Sequence, residues 1–386
     1  MNAVMNTYAR FPVTLVKGKG SRVWDDAGNA YLDFISGIAV NTLGHAHPAM
    51  VQALADQAGE MLHCSNLFHI PKQQQLAEKL AGLSGLASVF FCNSGAEANE
   101  AAIKLARKYF HDQGSPRRTV ITATRSFHGR LLSTLTATGQ DKVKVGFDPL
   151  PPGFVHVPLN DIKALMQVIN DQTAAILLEP LQGEGGVNVA HATYLQDVRK
   201  LCDEHGILLM LDEVQTGIGR TGSMFAFEQA GILPDVLTLA KGLGGGVPIG
   251  ALVASEAVSA SFGPGTHGST FGGNPLSCTA ALTVLDVIES ESLLENVLER
   301  GKQLTQGLSG LQKRFPVIQD IRGQGLLIGA GLSIDAGPIV AAARDEGLMI
   351  LMAGPDVLRF LPPLNVSEKE VNEALALLGS VLETQS

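Results

Sequence analysis

The sequence predicts an α/β fold, with a mostly parallel central sheet covered by helices and a smaller α+β C-terminal domain. Three observations carry this reading. Between residues 86 and 255, short unbroken apolar runs recur at 88–92, 119–123, 154–157, 174–179, 207–211, 236–240 and 251–254. Amphipathic helical patterns stand between several of them, at 97–112, 162–170 and 194–205. Strands without polar alternation are buried on both faces, and strand–helix–strand order makes neighbouring strands parallel. Beyond them the pattern changes: 320–330, 348–352 and 357–360 read as strands of a second, smaller layer closed by a helix over 368–382.

The remaining elements follow from local chemistry. Residues 13–35 read as an antiparallel unit, because Asp25-Asp-Ala-Gly-Asn29 supplies turn residues between two short apolar runs. Helical periodicity marks 48–62 and 72–82, then a long pair at 274–289 and 293–313. The expected organisation is an N-terminal segment, 1–50, packing with the small domain, a large domain over 51–278 and the small α+β domain over 279–386.

Composition narrows the function. The chain has 386 residues, 45% apolar and 17% charged, which suits a large core or a subunit that buries surface in an oligomer. Its net charge of −9, with no Lys/Arg block, argues against nucleic acid as a partner. Cys64, Cys92, Cys202 and Cys278 are far apart and form no CxxC pair, as expected of reduced thiols. The first twenty residues lack the charged head and apolar core of a signal peptide, and no run approaches the roughly 18 apolar residues of a membrane span. A cytoplasmic location is expected.

The chemistry-bearing residues stand at strand ends, where ligands of parallel sheets gather. Asp212 closes one apolar run and Lys241 another. An amine and a carboxylate so placed suit a pyridoxal-phosphate site, the amine holding the cofactor covalently and the acid keeping its pyridine nitrogen protonated. Ser94, Gly95 and Ala96 open a helix after the run 88–92; small residues and free N–H groups there suit a phosphate. Phe127 could stack on the cofactor ring and Arg130 could grip a carboxylate with its planar fork. Glu184, in a glycine-rich loop, could neutralise Arg359 when no substrate carboxylate is present. Gln215 could donate to the cofactor's phenolate oxygen, and Ser269 and Thr270 offer hydroxyls to a phosphate or carboxylate. The loop Gly242–Gly250 is not a dinucleotide fingerprint, because Pro248 breaks the helix that motif needs. His45 and His47 have no acidic or cysteine partner at ligand spacing, so no metal is expected.

Leu211-Asp-Glu-Val-Gln-Thr-Gly-Ile-Gly-Arg-Thr-Gly222 and Leu239-Ala-Lys-Gly-Leu-Gly-Gly-Gly246 are the most specific stretches. With Cys92-Asn-Ser-Gly-Ala-Glu-Ala-Asn-Glu100, Phe127-His-Gly-Arg130 and His267-Gly-Ser-Thr-Phe-Gly-Gly-Asn-Pro275, they make the chain resemble the class III (subgroup II) aminotransferases, fold-type I pyridoxal 5'-phosphate enzymes. The resemblance runs from Gly37 to Leu364. It implies that Lys241 bonds the cofactor and shuttles a proton, Asp212 pairs with the pyridinium, and Gln215 lies near the phenolate oxygen. It also implies that Gly95 and Ala96 bind the phosphate, Phe127 stacks on the ring, Arg130 holds the donor's carboxylate, Ser269 lies near the substrate and Thr270 reaches the phosphate of a partner subunit. A homodimer with shared sites follows from that last role.

Within the class the resemblance is strongest to the branch that moves the δ-amino group of N2-acetyl-L-ornithine to 2-oxoglutarate, a step of arginine biosynthesis. It implies too that Glu184 and Arg359 form a pair that opens for the second carboxylate. Branches acting on succinylornithine, succinyldiaminopimelate, ornithine or 4-aminobutyrate share this machinery and stay open, as does a racemase or mutase on the same scaffold.

Overall fold

The computed structural model describes residues 3–385, so Met1 and Asn2 of the expected N-terminal segment lie outside the described residues. The chain opens with an antiparallel meander, β1 (Leu15–Lys19), β2 (Arg22–Asp25) and β3 (Ala30–Asp33). The turn between β2 and β3 is built on the Asp25 carboxylate. It accepts the N–H groups of Ala27 at 3.1 Å and Asn29 at 2.7 Å, and the Tyr31 hydroxyl at 2.9 Å. An aspartate that satisfies the backbone locally is the physical content of that turn signal. Helices α1 (Pro48–Glu60) and α2 (Pro71–Ser84) both begin with proline, whose missing N–H costs nothing in a first turn.

The central sheet has seven strands: β4 (Ser88–Cys92), β5 (Thr119–Ala123), β6 (Phe154–Val157), β7 (Thr173–Leu178), β8 (Leu208–Asp212), β9 (Val236–Leu239) and β10 (Gly250–Ala254). In space they run β4-β10-β9-β8-β7-β5-β6. Only β10 is antiparallel to its neighbours. Helix α3 (Gly95–Asp112) follows β4, the short α4 (Leu132–Ala137) and α5 (Ile162–Val168) flank β6, and α6 (Ala192–His205) leads into β8. Every residue of β7, β8 and β9 is buried, which explains their uninterrupted apolar sequence. The strand expected over 207–211 lies one residue later, so Asp212 is its last member rather than the residue after it.

Two long helices, α7 (Pro275–Ser290) and α8 (Leu293–Arg314), lead to the second layer. The run 320–330, read as one strand, is a hairpin of β11 (Ile318–Gln324) and β12 (Leu327–Leu332), because the chain reverses at Gly325 with φ +55°. After α9 (Gly337–Asp345), the run 348–352 divides into β13 (Leu348–Met349) and β14 (Leu351–Met352). Strand β14 pairs with β15 (Val357–Phe360), completing a sheet of order β11-β12-β15-β14, and α10 (Glu368–Gln385) packs against α8, α9 and β13. Strand β13 instead lies parallel to β3, with Leu348 opposite Leu32. One short apolar run thus serves two sheets and ties the N-terminal meander to the C-terminal layer, reinforced by an Arg22–Glu373 ion pair of 2.5 Å. The three-part division at 50 and 278 remains a proposal; residue 278 falls inside α7.

The seam can be tested. Leu32 is fully buried and its N–H donates to Gly347 O at 2.7 Å. Leu32→Ala should destabilise the protein by about 2–5 kcal/mol, and hydrogen exchange should speed up in both 30–34 and 347–350. Faster exchange in the meander alone would show that the two ends are not one unit.

Candidate active site

The parallel strands all end on the same side of the sheet, and the segments after β4, β5, β7, β8 and β9 enclose a cavity of about 410 Å³. Ser94, Gly95, Ala96, Phe127, Arg130, Glu184, Asp212, Gln215 and Lys241 all line it. Arg359 reaches its edge from β15, through Glu184 and Gln215. Ser269 lies just outside the cavity, taking a hydrogen bond from Asn93 Nδ2 at 3.3 Å. Thr270 is exposed and contributes nothing to the cavity of its own chain.

Asp212 and Glu213 are consecutive, so at a strand end they point to opposite sides. Asp212 faces the cavity, whereas Glu213 accepts the N–H groups of Ala226 at 2.7 Å and Phe227 at 2.9 Å, fixing the return of the loop. Burial raises the Glu213 carboxyl to about 7, against those hydrogen bonds. The Asp212 carboxylate is 3% exposed and fully engaged. Its Oδ2 accepts from Asn99 Nδ2 at 2.7 Å and lies 2.8 Å from His128 Nδ1, while its Oδ1 accepts from Val214 N–H at 3.0 Å. Thr238 in turn donates to Asn99 Oδ1 at 2.7 Å, which orients the amide. Nearby Glu179 accepts the Phe127 N–H at 3.0 Å and so fixes the aromatic segment. Burial first, and the Asp212 charge second, push the Glu179 carboxyl well above its usual range.

Helix α3 aims its N-terminus into the cavity. Ser94 caps it by accepting the Glu97 N–H at 3.2 Å, and the Gly95 and Ala96 N–H groups, in the first turn, have no intrahelical partner. A Cβ on Gly95 would lie 2.6 Å from Val214, so only glycine lets this turn approach the Asp212 loop. Phe127 lines the cavity between this helix start and Asp212, with the Arg130 guanidinium 5.7 Å from its ring.

On the opposite wall Arg359, 2% exposed, donates through Nη1 to Glu184 Oε1 at 2.6 Å and to Gly183 O at 2.8 Å. Gln215 Nε2 donates to the same Glu184 oxygen at 3.2 Å. Burial would raise the Glu184 carboxyl, but Arg359 and Lys241 outweigh it and hold it below its usual value. Lys241 has φ +40°, a conformation a non-glycine residue adopts at a cost of about 1–3 kcal/mol, and stored strain of this kind gathers at functional sites. Burial pulls its ammonium down from the ordinary lysine value; Glu184 opposes the shift and Arg359 adds to it.

This donor set fits pyridoxal phosphate. Free helix N–H groups for a phosphate, an aromatic ring, a held carboxylate and an amine of lowered basicity line one cavity of suitable size. Comparison with known proteins gives the same result. A profile described as Aminotransferase class-III matches residues 3–382. The chain belongs to the class-III aminotransferase family. It is 54% identical to the acetylornithine aminotransferase of Caldanaerobacter subterraneus subsp. tengcongensis, over 98% of this chain and 97% of that one. It is 51% identical to the acetylornithine aminotransferase of Nitrosomonas europaea over the whole of both chains. Among solved structures, N-acetylornithine aminotransferase from Stenotrophomonas maltophilia matches with TM-score 0.86 at 41% identity, covering 98% of this chain and 97% of that one. Ornithine aminotransferase from Toxoplasma gondii, described with PLP at its active site, matches with TM-score 0.95 at 35% identity, covering 99% and 92%. Pyridoxal phosphate is the cofactor of this class-III aminotransferase.

Sequence reasoning assigned no role to Asn99, His128, Thr238 or Val214. The signal for Asn99 was present: it is a lone amide on a helix face whose neighbours Ala98, Ala101 and Ala102 are all buried. The stretch 66–69 lies at the surface of its own chain, with Leu67 and Phe68 88% and 68% exposed.

An amine bonds the cofactor's carbonyl carbon only when unprotonated; with Lys241 proposed as that amine, cofactor loading should rise with pH through a limb below the ordinary lysine range. Glu184→Gln removes an acid that favours the ammonium and should move that limb to lower pH, read from the visible absorbance of the loaded protein. Lys241→Ala is the control that lacks the limb. A limb that stays put or moves upward in Glu184→Gln would disprove the assigned electrostatics.

Proposed function

We propose that this enzyme transfers the δ-amino group of N2-acetyl-L-ornithine to 2-oxoglutarate, giving N-acetyl-L-glutamate 5-semialdehyde and L-glutamate. The observation that carries the reading is the Glu184–Arg359 pair. It is closed at 2.6 Å beside Lys241, in a chain whose relatives are named acetylornithine aminotransferase. The two substrates differ in what they present near the reacting carbon. The donor ends in an amine there, whereas 2-oxoglutarate brings a second carboxylate. With Glu184 on Arg359, the guanidinium is neutralised and the wall suits the amine donor. With Glu184 displaced, Arg359 offers its fork to the incoming carboxylate.

Pyridoxal phosphate, when bound, supplies the electron sink and carries the amino group between the two halves of the reaction. The protein supplies the rest. Lys241 would hold the cofactor, and its freed amine would accept the proton of the donor's δ-carbon. Asp212, fixed by Asn99, His128 and Val214, places a negative charge where a pyridinium is favoured. Gly95, Ala96 and Ser94 would hold the phosphate, Phe127 would stack on the ring, Gln215 would donate to the phenolate oxygen and Arg130 would take the donor's α-carboxylate.

We further propose a cytoplasmic homodimer with shared sites. Asn66 Nδ2 donates to Ser269 O at 3.0 Å and to Gly272 O at 2.9 Å, joining 66–69 to the loop that carries Ser269 and Thr270. Leu67, Phe68 and Phe271 are all mostly exposed on these joined segments. Such an apolar surface fits a second copy of the chain, with Thr270 delivered to the partner's phosphate and Ser269 near its substrate. No helix among the described residues is long and apolar enough to cross a membrane.

Two experiments test these readings. In single-turnover half-reactions without 2-oxoglutarate, N2-acetyl-L-ornithine should bleach the visible band of the loaded enzyme faster than N2-succinylornithine, ornithine or 4-aminobutyrate. In the same assay Arg359→Ala should slow the 2-oxoglutarate half by about 100-fold and leave the donor half within a few-fold. A faster amine would move the enzyme to another substrate, and equal losses in the two halves would remove Arg359 from its role. For assembly, Leu67→Asp with Phe68→Asp should shift sedimentation from dimer to monomer and abolish cofactor retention; an unchanged dimer would place the interface elsewhere.

A further inference from the structure

Arg220 lies within the loop that follows Asp212, and it is 2% exposed. Its Nη1 donates to Leu326 O at 3.1 Å and to Pro362 O at 2.5 Å. Among the described residues it has no carboxylate partner, and burial alone draws its ionisation down to about 9. A cation buried against carbonyls only is costly, and an apolar side chain would fill the same space without that cost. Its position suggests what it does.

The two carbonyls bracket the strands that carry Arg359. Leu326 immediately precedes β12 and Pro362 lies two residues beyond β15. The strands pair in register, with Gly329 opposite Arg359. The backbone of Arg220 is clamped to the same turn, because the Leu326 N–H donates to Arg220 O at 3.0 Å. A Cβ at Gly325 would come within 2.6 Å of that oxygen, so the turn sits directly against the loop. Five residues back in this loop is Gln215, whose Oε1 lies 3.5 Å from Arg359 Nη1. One loop therefore holds β15 at two places. Gln215 meets the Arg359 side chain, and Arg220 meets the backbone just beyond it.

We propose that Arg220 is a positioning residue for Arg359: by pinning Leu326 and Pro362 it sets the height of β15 over the cavity, and with it the reach of the guanidinium toward a second carboxylate. This rests on the role given to Arg359 above. Arg220 touches neither substrate nor cofactor. Its effect should appear in the half-reaction that uses Arg359 and be absent from the other.

The test compares wild type, Arg220→Met, Arg220→Lys and Arg359→Ala, each loaded with cofactor, with 2-oxoglutarate and pyruvate as acceptors and N2-acetyl-L-ornithine as donor. Pyruvate lacks the second carboxylate. Arg220→Met should lose about tenfold or more of the preference for 2-oxoglutarate over pyruvate, as expected of a group displaced by a fraction of an ångström. Its donor half-reaction should stay within about twofold of wild type. Arg220→Lys, which keeps a charged donor, should fall between the two. If Arg220→Met does not fold, the same selective loss in Arg220→Lys carries the proposal. Equal losses with both acceptors and the donor, or an unaltered preference in the folded variants, would overturn the strut while leaving Arg359 in place. If Arg359→Ala itself kept the wild-type preference, the assignment of Arg359 would fall, and the strut with it.

Discussion

A carboxylate held almost wholly out of water is the constraint around which this protein is arranged. At the end of β8 the Asp212 oxygens are met by Asn99, His128 and the Val214 N–H. Each partner comes from a different element: α3, the segment after β5 and the loop after β8. Leaving a buried charged group without such bonds costs several kcal/mol, so the carboxylate fixes where those elements meet. The rest of the cavity follows from that meeting point. Helix α3 cannot supply Asn99 without bringing its N-terminus to the same place, and glycine at 95 is what lets it come close.

A second set of charges joins the two layers. Arg359 is carried by the small sheet, yet its Nη1 bonds Gly183, Glu184 and Gln215, in the loops that follow β7 and β8. The pair is buried on one side only: Arg359 is 2% exposed, and the Glu184 side chain 29%. A fully buried ion pair would be locked, since separating it costs about 3–5 kcal/mol. A pair open to water on the acid side can exchange Glu184 for another carboxylate at lower cost. The same field reaches Lys241, where Arg359 and Glu184 act in opposite senses on its ionisation.

Much of this was legible in the order of residues. A strand of four to six unbroken apolar residues buries both faces only in a doubly covered sheet, and all seven runs are strands of one sheet. Asp212 and Lys241 were visible because a charged residue closing such a run has few places to go but the carboxyl edge. Two runs were read less well. The stretch 320–330 hides a reversal at Gly325, and 348–352 gives no sign that its halves pair with different sheets. Pairing partners are chosen by long-range packing, which a local pattern does not encode.

The sequence by itself determined which groups this protein has and roughly where each stands along its elements: the amine at 241, the acid at 212, the helix start at 94–96, the arginines at 130 and 359. It did so because periodicity, turn chemistry and capping are local properties of the chain. Only the tertiary structure decided which groups meet. Asn99 reaches Asp212 across 113 residues, Arg359 reaches Glu184 across 175, and Arg220 reaches Pro362 across 142. These contacts are set by how two layers close over one cavity. Hydrogen bonds hold them because Asn99, Asp212, Arg220 and Arg359, once buried, have no water to turn to.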